Sequence, residues 1–157
     1  MKNYRQLFVI FFGTCLAWLP IGCQKSKKID KQATKRELRH IYIQDGDLSG
    51  LDLKKADFSG SFLKGMNFNG TNLEEANLTQ TNLQNAKLQG ANLKGANLSY
   101  SNLTSANLQN CNLEGANITG ANFRNALVTG ANFERVIGMN ESLKSYLIEG
   151  GATVIGY

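Results

Sequence analysis

Large apolar residues recur through the middle of this chain with a period of five. From Gly46 to Arg135 eighteen pentapeptides follow one another without an insertion, as in Ala91-Asn92-Leu93-Lys94-Gly95 and Ala96-Asn97-Leu98-Ser99-Tyr100. The third position is Leu in twelve copies and Phe in four, with Ile118 and Val128 completing the set. The first is Ala in ten and Ser, Thr or Cys in five; the second is Asn or Asp in fifteen, the exceptions being Phe62, Lys87 and Leu127. Residues 41–45 read as a degenerate nineteenth copy. Such a period matches neither a helix, at about 3.6, nor an isolated strand, at about 2. The chain must turn a corner within each copy, so that the large and the small apolar side chains both reach one axis. Units that bury their apolar face only against their neighbours form a solenoid.

The tandem A-[ND]-L-x-x, covering about 90 of the 157 residues, resembles the signature of the pentapeptide-repeat family. The resemblance implies an all-β fold, a right-handed quadrilateral β-helix with four pentapeptides per coil and residues twenty apart stacked. It also implies that the third and first positions point inward and the other three face solvent. Eighteen copies then make four and a half coils, a rod about 20 Å long at ~4.8 Å between stacked strands.

Stacking by twenty sorts the residues by face, and the charge falls unevenly. A charged face begins its copies at Leu51, Thr71, Ala91, Cys111 and Ala131 and holds nine of the fifteen charged residues between 41 and 135. Its fourth positions run Lys54, Glu74, Lys94, Glu114, Glu134, so the first four alternate in sign; such pairs contribute about 0.2–1 kcal/mol each. A solvated face that fixes coil register is the simplest reading, with a charged docking strip as the rival. The next face begins at Ala56, Ala76, Ala96 and Ala116 and carries one charge, Asp57. Its Asn77, Thr79, Asn97, Ser99, Asn117 and Thr119 form a row of amides and hydroxyls. This amide face is the candidate interaction surface for a protein or glycan, although Asn ladders also stabilise stacked strands without any partner. A third face has Tyr42 and Phe62 where Asn is expected, near the chain's tether.

At the far end, residues 138–157 read as a cap. Asn140 is placed to cap a short helix over 141–149. Leu143, Tyr146 and Leu147 make its apolar stripe, Gly150-Gly151 ends it, and Thr153-Val154-Ile155 supplies a last strand. A solenoid end needs cover for its strand edges; homodimerisation through residues 140–157 is the alternative use of this segment.

The N-terminal 40 residues change the reading of the charge. The whole chain is +5, but residues 1–40 carry nine Lys/Arg against two Asp/Glu, and residues 41–157 carry eight against ten. The basic balance belongs to the leader and tether, and a nucleic-acid-binding face on the repeats is not expected. Lys2 and Arg5 precede an uncharged apolar run, Leu7–Leu19, too short for a span of about 20 residues but suited to a signal peptide. The Gly22-Cys23 pair resembles a bacterial lipobox, with Pro20 where Leu is usual. That resemblance implies a signal peptide at 1–22, lipid attachment at Cys23 and a bilayer anchor, with an uncleaved anchor or plain secretion as alternatives. Residues 23–40 read as a basic tether. Cys111 replaces Ala in its copy and is expected to be a small buried residue rather than a reactive thiol.

Catalytic chemistry is not indicated. The only histidine, His40, lies in the tether, and neither metal-ligand spacing, a nucleophile elbow nor a phosphate-binding glycine loop is present. No cofactor or metal site and no catalytic residue is assigned. The expected function is a membrane-tethered, non-enzymatic binding or scaffold module of the cell envelope. DNA mimicry that protects topoisomerase, a role implied by resemblance to some family members, is the alternative. An envelope-modifying enzyme is a weaker one.

Overall fold

A computed structural model describes residues 38–156; the signal peptide, Cys23 and most of the expected tether lie outside the described residues. The repeats wind into a four-sided β-helix. Each second-position residue bridges its counterpart twenty residues on, always parallel, in unbroken series such as Asp52, Asn72, Asn92, Asn112 and Asn132. The bridges are single-residue contacts because each side is only about three residues long before the chain turns.

The turn explains the period. The first-position N–H of one copy donates to the third-position carbonyl of the copy before it, as Ala56 does to Leu53 at 3.0 Å. The fifth residue is the i+2 corner of this β-turn, and from His40 to Arg135 every one has φ between +53° and +72°, the sign a type II turn requires. Eleven of these corners are not glycine, so the coil stacking imposes the left-handed conformation on residues that disfavour it.

Inside, the third-position Leu and Phe side chains and the first-position small residues close the core, with Leu63 through Leu113 at every third position fully buried. Most small polar first-position residues are satisfied rather than excluded, the buried Ser101 hydroxyl being the exception, without a partner among the described residues. Thr71, Thr81 and Ser61 each donate a hydroxyl to the third-position carbonyl twenty-three residues earlier, at 2.8–2.9 Å. The second position is not the solvent-facing site implied by the family pattern. It is mostly half-buried, and on the amide face Asp57, together with fourth-position Ser99, is buried.

Both ends differ from expectation in detail. Residues 38–40, assigned to the tether by their composition, already follow the repeat register: Leu38 packs on the core, His40 N–H donates to the Ser59 carbonyl, and the His40 corner has φ +54°. At the other end α1 (Glu141–Glu149) forms as expected, with Asn140 Oδ1 accepting from Leu143 N–H at 2.8 Å. Of its predicted stripe only Leu147 is fully buried; Tyr146 stays partly exposed and donates its hydroxyl to the Ala126 carbonyl. The helix stands where the copies following 121–130 would lie. The chain then resumes the coil on the charged face, one residue out of step: Thr153 bridges Asn132 rather than sitting twenty residues above it.

Candidate functional site

The charged face is internally neutralised. Lys54 meets Glu74 at 2.8 Å, Lys55 meets Glu75 at 3.1 Å and Lys94 meets Glu114 at 2.9 Å. Glu134 would stack a like charge on Glu114, and Arg135 relieves it by reaching Glu114 at 2.9 Å. The hydrogen bond and charge of Lys94, opposed by slight burial, hold the Glu114 carboxyl below its ordinary range; the contact with Glu74 raises Lys54. An open groove of about 260 Å³ runs between Glu75 and Arg135 over Gly95 and Gly115. The charges lining it are already engaged with one another or with their neighbours on the same face.

This face also holds the continuous side-chain amide ladder, which the sequence placed on its neighbour. Asn72 Nδ2 donates to Asp52, Asn92 to Asn72, Asn112 to Asn92 and Asn132 to Asn112, at 2.9–3.5 Å.

The amide face is wired differently. Each Asn Oδ1 is spent within its own copy, accepting the backbone N–H two residues on and the hydroxyl of that residue. Thr79 donates to Asn77, Ser99 to Asn97 and Thr119 to Asn117, each hydroxyl at 2.7 Å. The side-chain amide of Asn77 reaches down to Asp57 at 3.2 Å. Among the described residues, the Nδ2 groups of Asn97 and Asn117 donate to no protein atom. The structure thus brings the six predicted residues onto one face and leaves two unspent donors there. Its one acid, Asp57, is withdrawn. Burial alone would raise its carboxyl, but hydrogen bonds from Ser59 and the Arg39 guanidinium outweigh that and lower it.

The remaining predicted features fall into place as packing. Tyr42 and Phe62 stack face to face at 4.5 Å. The His40 ring lies against the corner at Gly60. Cys111 is buried and donates to the Leu88 carbonyl, in the manner of Thr71 and Thr81, and burial pushes its thiol up to about 12.

The family model for pentapeptide repeats matches this chain in overlapping blocks from residue 37 to 135. Among solved structures, a pentapeptide repeat protein from the Arabidopsis thaliana thylakoid lumen is 33% identical, with a TM-score of 0.70 over 81% of this chain and 86% of its own. A second, from Nostoc, is 27% identical with a TM-score of 0.58, over 66% and 84%. A search of curated proteins gave no match. The chain belongs to the pentapeptide-repeat family, and its fold is the right-handed β-helix of that family.

Proposed function

We propose that this protein is a non-enzymatic binding or scaffold module of the bacterial envelope, held to a membrane through lipid on Cys23 and engaging its partner with the amide face. The observation that carries the reading is the contrast between adjacent faces. The charged face spends its amides and ions on itself, while Asn97 and Asn117 hold donors outward on a surface whose only carboxylate is buried and paired. A partner that satisfies those donors gains hydrogen bonds without having to break any within the rod, each worth about 0.5–1.5 kcal/mol after the water it displaces. The leader, with its apolar run and Gly22-Cys23, supports export and anchoring.

DNA mimicry draws no support from the charge. Residues 41–157 sum to −2, and the negative charges of the rod are largely cancelled by lysines and arginines one coil away. Crosslinking capture from intact envelopes tests the proposal. The wild type is expected to retain a partner that is lost with Asn97→Asp, which keeps the turn-closing acceptor and removes the donor. Retention of the same partner by that variant, or an unchanged membrane fraction with Cys23→Ala, contradicts it.

A further inference from the structure

Tyr100 has no structural reason to be aromatic. It occupies a fifth-position corner at φ +58°, a conformation that is costly for a bulky side chain, and it is 64% exposed, more than any other large apolar residue among those described. One side of its ring nevertheless lies against the next coil. Cδ1 and Cε1 lie 2.7 and 2.8 Å from where a Cβ on residue 120 would stand, so the ring rests against the rod only because residue 120 is glycine. A rigidly presented aromatic surface binds with less ordering cost than a free one.

The surroundings of this corner are uniform in character. On the amide-face side stand Asn97, Ser99, Asn117 and Thr119; across the corner stand Asn102 and Asn122. All are uncharged. In each Asn the Oδ1 is spent on the backbone N–H two residues on, from Ser99, Thr119, Thr104 and Arg124. Among the described residues none of these four Nδ2 groups donates to a protein atom. One aromatic ring is therefore flanked on both sides by amide donors; of the residues named around it only Arg124, two places beyond Asn122, carries a charge.

We propose that Tyr100 and the amides of Asn97, Asn102, Asn117 and Asn122 form a subsite for a neutral oligosaccharide. The inference rests on the amide-face reading and names its ligand class. A sugar ring offers C–H groups to the aromatic surface and hydroxyl oxygens to the outward donors, and it carries no charge that would need a counter-ion here. A site of this kind combines one apolar contact with a few placed polar groups. A basic protein segment would find no carboxylate among these residues to pair with, and an acidic one only Arg124.

Isothermal titration of the full-length protein with chitotetraose and maltotetraose, neutral probes of opposite linkage, tests the subsite. One of the two is expected to bind saturably. Tyr100→Gly, a change the corner backbone favours, should weaken it tenfold or more. Gly120→Ala, which displaces the ring while keeping it, should weaken it several-fold. Gly90→Ala imposes the same backbone cost at a corner where an added Cβ meets nothing and should leave binding unchanged. Failure of both sugars to bind, or wild-type affinity in Tyr100→Gly, overturns the proposal. If an envelope protein is still captured in an Asn97-dependent manner when both sugars fail, the scaffold reading stands and the saccharide subsite falls. If a sugar binds through Tyr100 while no envelope partner depends on Asn97, the reverse holds.

Discussion

Asp52 accepts a hydrogen bond from the side-chain amide of Asn72, its neighbour one coil above, at 2.9 Å. Asn72 in turn accepts from Asn92, and the series continues to Asn132. An Asn within the ladder both donates down and accepts from above. Among the described residues the lowest member has no acceptor beneath it, so a residue that only accepts suffices there. Asp47 and Asp57 hold the same place on their own faces, beneath Asn67 and Asn77. Three acids at the second position of the first coil, and none at that position later, mark the start of the side-chain stacks.

The ladder makes a graded prediction. Asn92→Ala removes a turn-closing acceptor and two links of the ladder, whereas Asn82→Ala removes only the turn acceptor. At about 1 kcal/mol for a typical hydrogen bond, urea denaturation should find Asn92→Ala less stable than Asn82→Ala by about 1–2 kcal/mol. Equal losses would show that the inter-coil amide bonds contribute nothing net.

Core truncation should be severe and position-dependent. Leu93 is fully buried in the middle of the rod, and Leu→Ala in such a site costs about 2–5 kcal/mol. Leu48, only half-buried in the first coil, should cost much less on the same change. Comparable losses at both sites in denaturant titrations would contradict the packing described.

Acid should weaken the rod through its depressed carboxyls, among them Asp47 and Asp57 in the first coil and Glu114 further along. Asp57 and Asp47 are both held below their ordinary range, Asp57 against its own burial and Asp47 chiefly by hydrogen bonds from Ser49. A carboxyl whose folded pKa is depressed stabilises the fold above its unfolded pKa, near 3.8, and that stability is lost as pH falls through the folded value. Stability followed from pH 7 to pH 2 should therefore be flat until about pH 4–5 and decline below, with a shallower decline in Asp57→Asn. An identical acid slope in the variant would remove Asp57 from the account.

Cys111 should resist thiol reagents while the rod is folded. Its thiol is buried, bonded to the Leu88 carbonyl and pushed up to about 12, so the thiolate that reacts is absent at pH 8. Modification by a thiol-specific disulfide reagent should track unfolding, and Cys111→Thr, which can donate to the same carbonyl as Thr71 and Thr81 do, should be tolerated. Rapid labelling of the native protein, in a form without Cys15 and Cys23, would contradict this.

Much of this architecture is legible in the residues alone. The period of five locates the corners, stacking by twenty sorts the faces, and Asn140 announces the cap because its side chain has a local task that spacing reveals. What stayed hidden depends on competition between neighbours. Every face carries Asn, so the pattern cannot say whether an amide reaches down a coil or stays within its own turn; that is decided by the residue beneath and by the hydroxyl two places on, as at Asn97 and Ser99. Tyr100 reads as one more variable fifth position until Gly120 is seen beside it. The single extra residue before Thr153 follows from fitting α1 over the core, which no repeat register encodes. Sequence composition also drew the tether boundary at residue 40, because Leu38 and His40 carry no repeat signature although their backbone follows the coil.

A photoreactive amino acid placed in turn at exposed position 80 on the amide face, which spares the Asn97 and Asn117 donors, and at position 112 on the charged face, in intact cells, tests the central claim most directly. The account predicts a discrete adduct from position 80 that disappears with Cys23→Ala, and none from position 112. An adduct from position 112 alone, or one from position 80 that persists without Cys23, would contradict it.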